Sequence, residues 1–266
     1  LCPDCLVGKE DFEMIEMPAE AIQSGANAMD AGLMLSASNQ PQGPIVIVGS
    51  GYAGYNLAEA VRKLNAEIDI VVLTQDDGKH YSKPALSTGL AMQQTAKDLV
   101  VELPLDRANR LNIRIVTHCH VERIDSQAKI VLTSIGQQPY GQLVLAQGAQ
   151  AINVPFDGDA SADVISVNDL QDYARYRDLL LGKERVLLIG NGLIGCEFAN
   201  DLVSVGKHVD VVGRKTWPMG RLLPEVVGLK LHDALSTMGV SWWLDNQVTS
   251  INYRDTTQPQ LGYSVG

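Results

Sequence analysis

Twice in 266 residues an apolar run leads into Gly-x-Gly-x-x-Gly and then into a helix-forming stretch. The first copy is Gly49-Ser50-Gly51-Tyr52-Ala53-Gly54, after Pro44-Ile45-Val46-Ile47-Val48. The second is Gly190-Asn191-Gly192-Leu193-Ile194-Gly195, after Arg185-Val186-Leu187-Leu188-Ile189. Such a strand, tight turn and helix start lets backbone N–H groups approach a pyrophosphate, and the helix N-terminus favours its charge. One match is weak evidence, whereas two in the same context constrain the fold. They predict an α/β chain with two Rossmann-like dinucleotide-binding domains, and two dinucleotides exchanging electrons, most simply FAD and a nicotinamide nucleotide.

Composition narrows the class. With 21 Lys and Arg against 31 Asp and Glu, the net charge of −10 argues against nucleic acid, because phosphate neutralisation needs clustered cations. It suits a basic or metal-protein partner. No apolar stretch approaches the roughly 20 residues of a membrane span, and no basic-then-apolar leader opens the sequence. Four cysteines make no secreted disulfide framework, so a cytoplasmic location is expected. Length suits roughly two domains.

The sequence begins Leu1-Cys2-Pro3-Asp4-Cys5. Two thiolates spaced Cys-x-x-Cys grip one metal from a tight turn; a redox dithiol is the alternative. Residues 1–15 resemble the C-terminal third of rubredoxin. The resemblance implies that Cys2 and Cys5 are two of four iron ligands, and Leu6 stands where that family usually has glycine. The expectation is a partial rubredoxin domain over 1–17 and an internal fragment of a fusion. Residues 18–43 read as a tether rich in Ala, Ser, Asn and Gln. As a flexible coil it spans roughly 25–30 Å, which holds a carrier at an effective concentration of order millimolar.

Residues 44–156 read as the FAD-binding domain. Pro44–Gly49 is expected as a buried strand, Ala53–Leu64 as its helix and Ile68–Leu73 as the next strand. The acid that binds ribose hydroxyls about 20 residues on is replaced by Thr74, which leaves Gln75 or Asp76 as its substitute. The segment His80-Tyr81-Ser82-Lys83-Pro84-Ala85-Leu86-Ser87 resembles that of flavin-dependent rubredoxin and ferredoxin reductases. The resemblance implies that Lys83 lies near the FAD pyrophosphate or isoalloxazine. Thr88 stands where many ferredoxin reductases carry a lysine. Thr117–Asp125 resembles the family strand whose backbone meets the adenine, at Val121. On one strand face His118 and His120 also suggest a metal, though no further ligands are spaced to complete a shell. Leu143–Ala149 resembles the family's Ala-Thr-Gly closing motif, which places Ala146 and Gly148 at the flavin.

Residues 157–266 read as the NAD(P)-binding domain. Asn168–Ala174 resembles its lead-in helix. The resemblance implies that Glu197, one turn into the second fingerprint helix, touches the nicotinamide–flavin junction; an acid offsetting the helix dipole is the plain alternative. At the end of the following strand Gly213 stands where an acid selects NAD, and Arg214 and Lys215 follow, residues able to hold the phosphate of NADP. The resemblance favours NADH, with NADPH left open. Leu223–Met238 is expected as a helix with Leu231, Leu235 and Met238 inward, and Ser241–Leu244 and Gln247–Tyr253 as strands. Cys119 and Cys196 are isolated, which argues against a dithiol-using disulfide reductase. The resemblance implies electron flow from NAD(P)H through FAD to the fused rubredoxin, and onward to an alkane hydroxylase or an oxygen or nitric oxide reductase. A ferredoxin or flavorubredoxin reductase, and an NADH-sensing flavoprotein of the apoptosis-inducing-factor kind, are the alternatives.

Overall fold

The computed structural model describes residues 43–254 and the strand 263–265. The Cys2–Cys5 pair and residues 18–42 of the tether lie outside the described residues. The described residues form two compact units, one from 43–80 together with Glu102–Gly148, the other from Tyr81–Val101 together with the described residues from Ala149.

The first unit is a parallel sheet with a small antiparallel one. Its elements are β1 (Ile45–Val48), α1 (Tyr52–Leu64), β2 (Ile70–Leu73), α2 (Pro104–Leu111), β3 (Arg114–Val116), β4 (Val121–Asp125), β5 (Ile130–Thr133), β6 (Gly136–Pro139) and β7 (Gln142–Leu145). The parallel sheet runs β3-β2-β1-β7, and the antiparallel sheet β4-β5-β6. All four residues of β1 are buried. Ile45 and Ile47 pack with Tyr55, Ala58 and Leu111, and Val46 packs with Val71, Cys119 and Val131 on the other face. An unbroken apolar run is what a strand covered on both faces requires. β2 starts two residues later than expected because Asn65 turns the chain; its Oδ1 accepts from Glu67 N at 2.9 Å and Ile68 N at 3.0 Å.

The stretch 117–120 is not a strand. His118 has φ 52°, and the backbone here turns so that His118 N reaches Asp76 O at 2.9 Å and Cys119 N reaches Thr74 O at 2.8 Å. His118 and His120 therefore share no strand face, and no group of three or more metal-ligating side chains occurs among the described residues.

The second unit holds α3 (Leu170–Leu179), β8 (Arg185–Ile189), α4 (Leu193–Ser204), β9 (His208–Gly213), α5 (Glu225–Met238), β10 (Val240–Leu244), β11 (Ile251–Tyr253) and β12 (Tyr263–Val265). β10-β9-β8 form a parallel sheet. Residues 81–101, which lie within the sequence stretch 44–156, pack here. Leu86 and Leu99 join the core of Tyr173, Phe198, Leu202 and Val211. Buried Asp201 on α4 accepts from Leu90 N at 3.1 Å and Ala91 N at 2.8 Å. α5 turns Leu235 inward and Leu231 partly so. Met238, by contrast, is 48% exposed; it is the last helical residue before the left-handed cap at Gly239. The strand expected over 247–253 is confined to Ile251–Tyr253, because Asp157 N takes Thr249 O at 3.0 Å in place of a longer ladder.

Candidate dinucleotide-binding sites

Both fingerprints close their turns in the same way. Gly49 and Gly190 follow their strands with φ +112° and +122°, a region that L side chains rarely adopt. Each bonds the carbonyl at the end of the neighbouring strand, Gly49 N to Leu73 O at 2.8 Å and Gly190 N to Val212 O at 2.7 Å. The third glycines bring helix onto turn, since a Cβ at Gly54 or Gly195 would fall 2.0 Å from the carbonyl oxygen of Gly49 or Gly190. The middle glycines face open space, with nothing among the described residues within 4 Å of a Cβ at Gly51 or Gly192.

The helix starts carry the chemical signature. Gly51 and Gly192 are the N-caps of α1 and α4, neither helix has a side-chain cap, and neither has an acid in its first turn. The other three described α-helices all carry a first-turn acid, Asp106, Asp172 or Glu225. On α3 Asp169 caps as well, accepting from Gln171 N and Asp172 N. The first N–H groups of a helix have no intrahelical acceptor, and the positive end of the dipole favours an anion. Residues 52–54 and 193–195 thus present free donors over open space. That arrangement fits the pyrophosphates of a flavin and a nicotinamide dinucleotide.

The second fingerprint position is a buried polar residue in both copies, and each pins the loop after the neighbouring strand. Ser50 Oγ and Thr74 Oγ1 donate to Asp76 Oδ1 at 3.0 and 2.6 Å, and Gly78 N donates to the same oxygen at 2.9 Å. Asp76 therefore organises its own turn through Oδ1, while Gln75 is exposed. In the second copy Asn191 Nδ2 donates to Lys215 O at 2.8 Å and Trp217 O at 3.2 Å. Arg214 and Lys215 are exposed and form no ion pair among the described residues.

Glu197 stands half-buried at the start of the second turn of α4. Ser87 Oγ, at the end of the 3-10 turn Lys83–Ser87, lies 2.7 Å from Glu197 Oε2. Lys83, at the other end of that turn, is exposed and lies 3.4 Å from Ala149 O. Ala146 N donates to Val48 O at 2.7 Å, and its carbonyl oxygen walls Gly49. Gly148 has φ +67° with open space around it. Val121 begins β4, paired with Thr133. Sequence reasoning missed Ser87 and Asn191. Asn191 lies inside the fingerprint itself, where its polarity was the available signal; nothing local marks Ser87.

The two cysteines of the described residues are free and buried. Burial pushes the Cys196 thiol up to about 11, so it stays protonated at neutral pH, unlike a working thiolate.

The fold and these cradles define an α/β protein with two dinucleotide-binding units of Rossmann type. Over residues 43–263 it matches the family described as pyridine nucleotide-disulphide oxidoreductase, and the chain belongs to that family. It is 43% identical over 219 residues to a rubredoxin-NAD(+) reductase of Alcanivorax borkumensis, covering 81% of this chain and 56% of the relative. It is 41% identical over 214 residues to a nitric oxide reductase FlRd-NAD(+) reductase of Vibrio vulnificus, covering 80% and 56%. Among solved structures it resembles a ferredoxin reductase from Rhodopseudomonas palustris, with TM-score 0.73 and 26% identity over 79% of this chain and 52% of the other. The chain spans about half the length of the curated relatives it matches. No helix among the described residues is long and apolar enough to cross a membrane.

Proposed function

We propose that the full-length protein is an FAD-dependent reductase. It draws electrons from a reduced nicotinamide dinucleotide and passes them to a one-electron iron carrier of the rubredoxin type. The observation that carries this is the pair of uncapped, acid-free helix starts, each over a glycine open to a ligand. The names of the relatives support it, as does the absence of a vicinal dithiol after either fingerprint.

The bound flavin supplies the conversion of a two-electron hydride into single electrons. The chain's own residues bind and orient. N–H groups of 52–54 receive the FAD pyrophosphate, Ser50 holds the turn, and Gln75 or Asp76 meets the ribose. The backbone of Val121 meets the adenine, while Ala146 and Gly148 border the flavin. In the second unit the N–H groups of Leu193, Ile194 and Gly195 receive the nicotinamide dinucleotide, and Arg214 and Lys215 meet its adenosine end. Ser87 orients the Glu197 carboxylate, and Glu197 and Lys83 face the reacting rings. Cys2 and Cys5 are two ligands of the carrier's iron, held in the same polypeptide by residues 18–43.

The test is stopped-flow on the full-length protein. Rapid flavin bleaching by reduced nucleotide, with cytochrome c reduction that depends on the iron domain, is the expected result. A colourless protein indifferent to pyridine nucleotides overturns the reading. A long-lived charge-transfer complex without turnover assigns the protein to sensing instead.

A further inference from the structure

The acid that selects NAD projects from the end of the second strand of a dinucleotide fold and binds the ribose hydroxyls. In the second unit that position is Gly213, the last residue of β9. Its surroundings leave no room for a side chain: a Cβ there would fall 2.2 Å from Asn191 Cγ and 2.3 Å from Asn191 Oδ1. The volume an acid would root in is filled by the fingerprint's own asparagine.

Asn191 is 5% exposed, and it is held from several sides. Its Nδ2 donates to Lys215 O and Trp217 O, and its backbone oxygen accepts from Met219 N at 2.7 Å. These bonds tie residues 215–219 to the fingerprint turn. On the tied loop Arg214, Lys215 and Thr216 point outward and are exposed. In a chain of net charge −10, neither cation is in an ion pair among the described residues. Two unpaired cations on a fixed loop suit a phosphate dianion, which charge-assisted hydrogen bonds recognise.

We propose that Asn191 is a positioning residue for nucleotide specificity. By occupying the space beside Gly213 and fixing the Arg214–Lys215 loop, it commits the second cradle to a 2′-phosphorylated dinucleotide, NADPH. This departs from the NADH expected from resemblance. It rests on the reading that the second cradle holds a nicotinamide dinucleotide.

The experiment is calorimetric titration of the full-length, flavin-loaded protein with 2′,5′-ADP and with 5′-AMP, neither of which reacts. The expected result is about 10–100-fold tighter binding of 2′,5′-ADP, the range of one charge-assisted hydrogen bond. Arg214→Ala with Lys215→Ala brings the ratio close to one. Asn191→Asp, which keeps the shape but removes the donor to the loop carbonyls, weakens 2′,5′-ADP more than 5′-AMP and so lowers the ratio while the flavin stays bound. A purely structural role would weaken both ligands together. Asn191→Gly combined with Gly213→Glu opens the space for an acid and reverses the preference. Equal or tighter binding of 5′-AMP by the unaltered protein overturns the proposal. So does loss of 5′-AMP binding in Asp245→Asn, which would place the ribose on the carboxylate at the adjoining strand end. If neither ligand binds while the flavin stays, the second cradle itself has been misread, a failure distinct from the wrong preference.

Discussion

Gly49 and Gly190 hold nearly the same backbone angle and close nearly the same turn, yet among the described residues one is walled in and the other is not. A Cβ at Gly49 would lie 2.2 Å from Ala146 O, whereas among the described residues nothing lies within 4 Å of one at Gly190. The cause is the neighbouring strand. β1 lies between β2 and β7, and β7 delivers Ala146 against the turn. β8 pairs with β9 alone among the described residues. Burial follows the same difference: every residue of β1 is buried, while Arg185, Leu187 and Ile189 of β8 are exposed. The comparison shows that a cradle's shape is local and its walls are tertiary.

The largest effect separates ligand space from fold. Gly51→Val and Gly192→Val put side chains into open space at an extended N-cap, so each protein should fold. Gly51→Val is expected to lose its flavin almost entirely. Gly192→Val is expected to keep the flavin and lose nucleotide binding by about 100-fold or more, as when a pyrophosphate's donors are blocked. Absorbance at the flavin bands and nucleotide titration read this, and a yellow Gly51→Val protein would sink the first site.

Next comes the wall. Gly49→Ala combines left-handed strain with a backbone clash against Ala146 O and should cost about 3 kcal/mol or more, above the ~1–2 kcal/mol of left-handed strain alone. A denaturation shift for Gly49→Ala no larger than about 1–2 kcal/mol would mean that the Ala146 wall has no energetic weight.

The pinning residues come third. Asp76→Ala leaves Gly78 N and one hydroxyl of the Ser50–Thr74 pair, whose oxygens lie 2.8 Å apart, without an acceptor and is expected to cost about 1–3 kcal/mol. Asn191→Ala removes neutral bonds and is expected to cost about 0.5–1.5 kcal/mol. Urea titrations of both variants check the order.

The smallest effect is in pH. At the point where the chain leaves and re-enters the first unit, His80 and Glu102 bridge, and Arg107 bonds His80 Nδ1 at 2.7 Å and Glu102 Oε2 at 2.6 Å. Burial, then the Arg107 charge, lowers His80, and the Arg110 hydrogen bond lowers Glu102. A depressed folded-state value gives stability that is present above the unfolded value and lost as pH falls. The His80 part should therefore fade below about 6.5, and the Glu102 part below about 4.3. In the second unit burial raises Asp201. The sign there is opposite: its contribution is complete below the unfolded value and lost as pH rises through the folded one. Hydrogen exchange from pH 7.5 to 5 should show the His80–Glu102 neck loosening, and His80→Phe should blunt the trend. A neck whose protection is flat over that range contradicts the assignment.

Much of this was legible in order along the chain. Pro44–Gly54 and Arg185–Gly195 became strand, turn and helix within a residue or two of their reading, because glycine φ and apolar runs act over consecutive residues. Val121 on a strand and Glu197 one turn into a helix also stand where they were expected, whereas the 3-10 turn that carries Lys83 was not foreseen. The histidines at 118 and 120 misled because alternation was assumed where the backbone turns back to bond the end of β2. Met238 misled because the apolar period ran one residue past the last packed position.

By itself the sequence determined that two glycine turns lead into helices and where each helix begins, since a glycine's freedom and an uncapped helix start are properties of a dozen neighbouring residues. Only the tertiary structure decided what surrounds them. Ser87 meets Glu197 across 110 residues, residues 81–101 pack with the second unit, and Asn191 fills the place beside Gly213. Those contacts depend on which strands lie side by side and in what register, and close packing in three dimensions sets that where no local period records it.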